Sequence, residues 1–411
     1  MDFKDTPQEA AFRDEVRSWL KANAPKFEVT KLRNRTQEEI GEGLDQAKAW
    51  QAAKADAGFA GITWPEAYGG RGASPILAVV YEQEESKYQV PRGYFDIGIG
   101  MAGPTMMAYA NEQQKQRYLP KMLRGEEIWC QLFSEPSAGS DLAGLRTRAE
   151  KDGDTWTVNG QKVWTSGAHY SDLGILVTRH DPTLPKHMGL TYFYIDMHSA
   201  GVEVVRIKQI SGGSNFCEVF LNDLKIPDSQ RLGEIGDGWS VSLTTLMNER
   251  LAVGDAPPPN AKEFLALLRT TELPSGPALK DPAVRERLAD WYVQAQGLKF
   301  TKFRTMTALS RGQTPGPEAS IAKTINASKL QDICSYMMDL EGMGGILTGQ
   351  DVAPAEGTFQ DGFLFSPGFR IAGGTDEILR NIIAERVLGL PPDIRVDKKV
   401  SFAELASGKA N

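Results

Sequence analysis

The sequence predicts an α+β fold with an N-terminal all-α domain, a central antiparallel β-domain and a C-terminal helical bundle. Apolar residues recur at helical spacing in the first part, short β-branched and aromatic runs fill the middle, and helical spacing then returns. The predicted domains are residues 1–125, 126–237 and 238–393, followed by a tail at 394–411. A chain of 411 residues is long enough to form several packed layers.

The first domain is predicted to be helical because its apolar residues return every three or four positions. Breaks are expected at Pro25, at the glycine-rich turn 68–72 and at the Gly103-Pro104 pair. The repeating apolar residues of the first helix are Ala10, Phe12, Val16, Trp19 and Leu20.

The segment from Gly98 to Gly103 fits the G-x-G-x-x-G dinucleotide fingerprint. That fingerprint binds a nucleotide only between a strand and a helix, whereas this segment precedes every predicted strand. We therefore interpret its glycines as positions where helices pack closely.

The middle domain is predicted to be an antiparallel sheet because its β-rich runs follow one another too closely for crossover helices. Turn dipeptides such as Asn159-Gly160 separate them. The runs are Thr155–Val158, Gly174–Val177, Thr191–Ile195 and Glu218–Leu221.

The last domain is predicted to be a helical bundle interrupted by prolines, which no long helix can cross. These prolines lie between Pro257 and Pro282, and the polar tail is expected to lie outside the core. Helical spacing is clearest at Leu288, Trp291, Tyr292, Ala295 and Leu298, and again at Ile378, Leu379, Ile382, Ile383 and Val387.

Composition and charge exclude several classes of function. The net charge of −7 and the lack of a Lys/Arg-rich run argue against binding of nucleic acid. No apolar run reaches the roughly 18 residues of a membrane span, and the N-terminus resembles no targeting segment. The three cysteines form no C-x-x-C pair and the four histidines lack metal-ligand spacing, so we expect a cytoplasmic protein without a metal site.

The segment Ser134–Asp141 combines a proline turn with small residues and hydroxyls directly after the run Trp129–Phe133. Such a turn offers free backbone N–H groups and hydroxyls to a polar ring edge and to a phosphate-bearing ligand. An ordinary Ser/Pro/Gly loop explains the same residues equally well.

Three motifs in order resemble those of the acyl-CoA dehydrogenase family, and the resemblance covers nearly the whole chain, from Met1 to about Pro391. The motifs are Ser134–Asp141, Val158–Ser166 and Ile371–Arg386. The resemblance implies FAD as cofactor, an acyl-CoA thioester as substrate and oxidation of its α and β carbons. It also implies an electron-transfer flavoprotein as acceptor.

The resemblance also implies which residues in the first two motifs meet the ligands. Phe133 and Ser134 would border the flavin ring, while Trp164 and Ser166 would cover its face and contact its polar edge. Ser140 would face the coenzyme A portion. Trp164 could instead be a buried core aromatic of a strand.

In the last domain, Thr375 and Glu377 resemble the positions that hold the pyrophosphate and ribityl parts of FAD. The stretch Asp339–Gly345, with Gly342 as its first glycine, resembles the one that meets the adenine.

The catalytic base departs from the commonest family pattern, since Gly373 stands where many members have a glutamate. In the isovaleryl and long-chain branches the base precedes an arginine on the helix after the β-domain, and here Glu249 precedes Arg250 at that place. Glu249 is therefore the expected base, and the backbone N–H of Gly373 is expected to donate to the thioester oxygen. Glu249 could alternatively be a surface glutamate, and Arg250 a structural ion-pair partner.

The sequence departs from the family pattern at a second place, and this leaves the oligomeric assembly open. Homotetrameric members usually carry an Arg-x-x-Phe-Gly-like stretch in the third domain, whereas only a proline-rich segment lies between Arg269 and Arg285. The expected assembly is a homodimer or homotetramer, or a heterotetramer with a related chain. A non-catalytic partner subunit and a flavin oxidase of the same fold are the alternative functions, and the sequence does not identify the acyl group.

Overall fold

The structure is a computed structural model that describes residues 5–27, 37–252, 261–310, 316–317, 319–349, 351–395 and 397–406. The chain forms two compact units. The first comprises Met1–Ala252 with Asp393–Asn411, and the second comprises Val253–Pro392.

The N-terminal part of the first unit is helical, as predicted. A capping box between Thr6 and Glu9 starts the first helix, and its apolar face is buried at Phe12, Val16 and Leu20. The helices are α1 (Pro7–Asn23), α2 (Gln37–Asp56), α3 (Pro75–Glu85), α4 (Gly103–Tyr109) and α5 (Glu112–Arg124).

The expected helix break at Gly103-Pro104 is wrong. A π-helical turn, Gly98–Ala102, runs directly into α4, and the N–H of Gly103 donates to the carbonyl of Gly98. The wider π-helical turn directly before α4 accommodates the missing N–H of Pro104, so the helix continues through the proline. A Cβ on Gly98 would lie 3.2 Å from Met122 of α5, so close helix packing is confirmed at this glycine, whereas a Cβ on Gly103 would lie 2.3 Å from the ring of Trp64, which is outside the helices.

The middle of the chain forms an eight-stranded sheet in the order β6-β7-β3-β2-β4-β5-β8, with β1 paired to β4. Most neighbours are antiparallel as predicted, but β1 and β2 each run parallel to β4, so the sheet is mixed. The strands are β1 (Trp129–Leu132), β2 (Arg148–Asp152), β3 (Thr155–Ser166), β4 (Leu173–Arg179), β5 (Leu190–Asp196), β6 (Val202–Ile207), β7 (Phe216–Pro227) and β8 (Arg231–Leu232).

Both faces of the central strands are buried. Alternate residues of β4 and β5, such as Ile175 and Tyr192, pack with Met106 and Leu119 of the N-terminal helices. The intervening residues, such as Phe193, belong to a second cluster formed mainly by strand residues. A helix, α6 (Gly238–Ala252), follows the sheet and contributes Val241 to the first cluster.

The second unit is a helical bundle with a short hairpin. Its core contains Phe264, Trp291, Met337 and Phe359. The elements are α7 (Ala261–Leu268), β9 (Glu272–Leu273), β10 (Gly276–Pro277), α8 (Pro282–Ser310), α9 (Ala319–Leu340), α10 (Thr358–Phe369) and α11 (Asp376–Ile382).

A last helix, α12 (Phe402–Ala406), belongs to the first unit. Among the described residues, no helix is both long and apolar enough to cross a membrane.

Candidate functional site

The Ser134–Asp141 segment forms a compact turn after β1. Glu135 and Ala138 exchange two backbone hydrogen bonds, and the carbonyl of Ser134 accepts a hydrogen bond from Val163 of β3 at 2.9 Å. Phe133 is buried edge-on against Tyr192, whereas Ser134 is half-buried. The turn is thus fixed at its start and joined to β3.

Ser140 lies at the other end of this turn and is exposed. Its hydroxyl is therefore accessible to a ligand.

Trp164 lies in a bulge of β3, where the pairing with β7 shifts between Lys162 and Thr165. Its φ of +60° is a left-handed conformation that costs a bulky residue on the order of 1 kcal/mol or more. The indole is 58% exposed and meets Phe216 edge-on, so the buried-aromatic alternative is wrong. A strained backbone that exposes a large flat ring is typical of a ligand site.

Ser166 ends β3 two residues later and is half-buried, paired with Phe216 in the sheet. Trp164 and Ser166 therefore belong to the same strand end, and Val163 joins that strand end to the Ser134 turn.

A buried ion pair that the sequence analysis did not single out links these two motifs. The Lys162 ammonium donates to Glu135 at 2.9 Å and to the carbonyl of Phe133 at 3.1 Å, and the Lys162 side chain is fully buried. The other contacts of the Glu135 carboxylate are the backbone N–H groups of Arg146 and Thr147. Adjacent strand residues point to opposite faces, so the apolar neighbour Val163 gave no signal that Lys162 is buried.

The charge state of Glu135 follows from these contacts. Burial acts to raise the pKa of its carboxyl, but the Lys162 ammonium and the donated hydrogen bonds outweigh burial and hold the pKa below its usual value. Glu135 is therefore an anion at neutral pH.

Helix α6 is held to the rest of the first unit by hydroxyl groups. The Thr245 hydroxyl is hydrogen-bonded to Thr105 at 2.8 Å and to Tyr192 at 2.9 Å, and all three side chains are buried. Glu249 and Arg250 lie one helical turn beyond Thr245. Their side chains are outside the described residues.

In the second unit, a left-handed turn precedes α11. Gly373 and Gly374 have φ values of +66° and +96°, which favour glycine. The next residue, Thr375, caps α11 by accepting a hydrogen bond from Ile378 at 3.3 Å. Lys323 of α9 donates to the carbonyl of Gly374 at 2.7 Å and so fixes the turn.

A cavity of about 230 Å³ lies beside this turn. Arg370 lines it, pairs with Asp376 at 2.7 Å and donates to Gln331 at 2.9 Å. Glu377 also lines the cavity and is exposed.

Gly342 starts a 3₁₀ turn after α9, has a φ of +56° and is exposed. It belongs to the second unit, like Thr375 and Glu377.

The described residues fit a large cofactor with a flat ring and polar substituents. The exposed Trp164 ring supplies a stacking surface. Two buried polar atoms, Oγ1 of Thr165 beside it and Oδ1 of Asp376 in the second unit, have no hydrogen-bond partner among the described residues. Each unit therefore has a buried polar atom without a described hydrogen-bond partner next to a motif that is expected to bind FAD.

Comparison with family models identifies all three parts of the chain. The N-terminal, middle and C-terminal domains of acyl-CoA dehydrogenase match residues 6–126, 130–224 and 236–388, respectively.

Two curated relatives are acyl-CoA dehydrogenases of mycobacteria. IpdE1 of Mycolicibacterium smegmatis is 35% identical over 93% of this chain and 98% of its own length. FadE34 of Mycobacterium tuberculosis is 40% identical over 83% of this chain, but the match spans only 46% of that protein.

Two solved structures have the same fold over nearly the whole chain. The ChsE4-ChsE5 complex from Mycobacterium tuberculosis contains a chain that is 28% identical, with a TM-score of 0.78 over 96% of this chain and all of that one. The Tcur3481-Tcur3483 steroid ACAD is 26% identical, with the same TM-score and coverage. The predicted fold class is thus confirmed, and this chain belongs to the acyl-CoA dehydrogenase family of FAD-dependent oxidoreductases.

Proposed function

We propose that the chain converts an acyl-CoA thioester to its 2-enoyl-CoA and passes the electrons to an electron-transfer flavoprotein. The observation that carries this proposal is Trp164, a strained and 58% exposed tryptophan beside the Ser134 turn. Its ring is in edge contact with Phe216, and a stacked flavin ring would explain why the rest of the ring is exposed. A cytoplasmic location remains part of the proposal.

Two groups of residues are proposed to contact FAD. The first group is Phe133, Ser134, Trp164 and Ser166, and the second group is Gly342, Thr375 and Glu377. When bound, FAD accepts the hydride that leaves the β carbon of the substrate. The Glu135–Lys162 pair keeps the first group of residues in one arrangement before the cofactor binds, which lowers the ordering cost of binding.

Glu249 is the proposed catalytic base. The α-proton of a thioester is weakly acidic, so its removal needs a carboxylate beside the acyl chain. Position 373 cannot supply one because it is glycine. Support for Glu249 comes from helix α6, which the Thr245 hydrogen bonds anchor one turn before this residue. Arg250, the next residue of the same motif, is proposed as a further catalytic residue, with a structural ion pair as the alternative.

Gly373 would act through its backbone. Enolate charge develops on the thioester oxygen as the α-proton leaves, and a fixed N–H donor stabilises that charge. The turn that contains Gly373 is fixed by Lys323, so the donor would need little reorganisation. Ser140, exposed at the end of its turn, would contact the coenzyme A portion.

We further propose a bulky polycyclic acyl group, because one solved relative at 26% identity is a steroid ACAD. A second candidate is a subunit that completes its site only with a related chain. The ChsE4-ChsE5 relative, which was solved as a complex of two named chains, favours this candidate. The two candidates differ in whether the chain binds FAD when it is expressed alone.

The test is bleaching of the flavin under anaerobic conditions by straight, branched and polycyclic acyl-CoA thioesters. Glu249→Gln is expected to retain FAD and to lose at least about 10³-fold in the bleaching rate. Glu203→Gln, an exposed substitution of the same type in β6, should bleach like the unaltered protein. Bleaching of Glu249→Gln at the rate of the unaltered protein would refute the base, and colour gained only on co-expression with a related chain would favour the second candidate.

A further inference from the structure

The C-terminal segment, described at residues 393–395 and 397–406, contacts Arg179 at the end of β4 and the loop that joins β4 to β5. It lies beyond the family match, which ends at residue 388, and it clusters with the N-terminal and middle parts of the chain. It was expected to lie outside the core, and it belongs to none of the core clusters of the described residues. Its contacts are nevertheless specific.

The backbone of this segment pairs with the loop that joins β4 to β5. Phe402 donates to the carbonyl of Leu184 and Ala403 donates to that of Pro182, both at 2.9 Å. Ser401 also forms an antiparallel bridge with Pro185. Directed backbone bonds of this kind fix the register of the segment on the loop.

The ring of Phe402 lies over Arg179, with 3.6 Å between the guanidinium carbon and the ring centroid. The same guanidinium donates to the carbonyls of Leu145 at 3.0 Å and Ala143 at 2.5 Å. Arg179 is itself buried, so the cation–π contact is protected from water. Phe402 thereby stabilises the Arg179 guanidinium, which binds the backbone at Ala143 and Leu145.

A second connection is ionic. Asp397 pairs with the Lys186 ammonium at 2.5 Å, and Lys186 also pairs with Asp141 at 3.0 Å. The Lys186 side chain is only 12% exposed, so this bridge is partly shielded from solvent. Asp141 directly follows Ser140, the proposed coenzyme A contact.

We propose that residues 393–395 and 397–406 belong to a strap that positions the loop Ser140–Leu145 for the coenzyme A portion of the substrate. Phe402 acts through Arg179 on the end of this loop, and Asp397 acts through Lys186 on its start. These are positioning residues, since neither touches the proposed substrate contact itself. The inference rests on the proposed function only in naming the ligand, because the contacts themselves do not depend on it.

The test combines hydrogen exchange with steady-state kinetics of the full-length holoenzyme. Phe402→Ala and Asp397→Asn should accelerate amide exchange in residues 140–145 and 181–188. Each should also raise the KM for an acyl-CoA by roughly three- to tenfold, with kcat and FAD content unchanged. Phe402→Trp should restore both values because an indole also stacks on a guanidinium.

Asp393→Asn is the matched control, since it removes a carboxylate from an exposed position of the same segment. It should change neither exchange nor KM. Unchanged exchange in Phe402→Ala would overturn the strap, and faster exchange with an unchanged KM would overturn its role in positioning the loop. If none of the acyl-CoA thioesters bleaches the flavin of the unaltered protein, the proposed function fails. The exchange data still decide whether the strap exists.

Discussion

In each unit, a lysine donates to a backbone carbonyl of a motif proposed to bind FAD, but the two lysines differ in burial. In the first unit, Lys162 donates to the carbonyl of Phe133, and in the second, Lys323 donates to the carbonyl of Gly374. Lys162 is fully buried and is paired with Glu135, whereas Lys323 is half-buried and bonds a carbonyl. The acidic partner near Lys323, Asp376, is paired with Arg370 instead.

This difference in burial changes how much stability the protein would lose without each lysine. Removing one member of a buried pair leaves a charge that water cannot solvate, and such a defect costs far more than a lost hydrogen bond near the surface. We therefore infer that the motif in the first unit is built as part of the fold, while the motif in the second unit can adjust when a ligand binds.

The largest expected effect is that of Lys162→Met, which should lower the free energy of unfolding by about 3–5 kcal/mol. The Glu135 carboxylate would stay buried without its cation, while methionine fills much of the vacated space. Urea unfolding of the apoprotein measures the change, and Lys208→Met, at an exposed position of the first unit, is the control. Adding Glu135→Gln should recover part of the loss, and a loss below about 1 kcal/mol in the single variant would contradict the inferred role of the pair.

Acid should weaken the same pair. The pKa of Glu135 is below its usual value of 4.5, so its contribution to stability is complete above that value and is lost as the pH falls through the lowered pKa. Below pH 4.5, the unaltered protein should therefore lose stability more steeply than the Glu135→Gln/Lys162→Met double variant. The free energy of unfolding, measured from pH 7 down to pH 3, compares the two proteins. Equal slopes against pH would show that protonation of Glu135 does not contribute to the loss of stability.

In the second unit, loss of Lys323 should cost less stability than loss of Lys162. Lys323→Met should cost about 1–2 kcal/mol, because the half-buried carbonyl of Gly374 can bond water instead. FAD affinity should fall together with this small change, since the turn before Thr375 is no longer held. Urea unfolding and FAD titration measure the two effects. A loss of stability as large as that of Lys162→Met would remove the distinction between the units.

The order of elements could be predicted from the sequence because apolar periodicity differs between helices and strands. The π-turn at Gly98–Ala102 could not, since it depends on how the chain accommodates Pro104 within a packed helix. The parallel pairing of β1 and β2 with β4 likewise depends on contacts between distant segments. Local patterns do not encode such contacts.

The motifs proposed for the site were predicted from the sequence, but the contacts that fix them in place could not be predicted. Glu135 and Lys162 both lie inside quoted motifs, and their pairing appears only when β3 is placed beside the turn. The exposure of Trp164 depends on a bulge that shifts the register of β3 against β7. Glu249 and Arg250 stay predictions because their side chains are outside the described residues.

The smallest expected effect on stability concerns Trp164 and has the opposite sign. Trp164→Gly should raise the free energy of unfolding by up to about 1 kcal/mol, because glycine adopts a φ of +60° without strain and an exposed ring contributes little packing. FAD affinity should fall roughly tenfold through loss of the stacking surface. Trp164→Ala should lose the same affinity without the gain in stability, because alanine keeps the strain. Destabilisation by Trp164→Gly would instead mean that the ring supports the fold, and the first unit would then hold no element strained for a ligand.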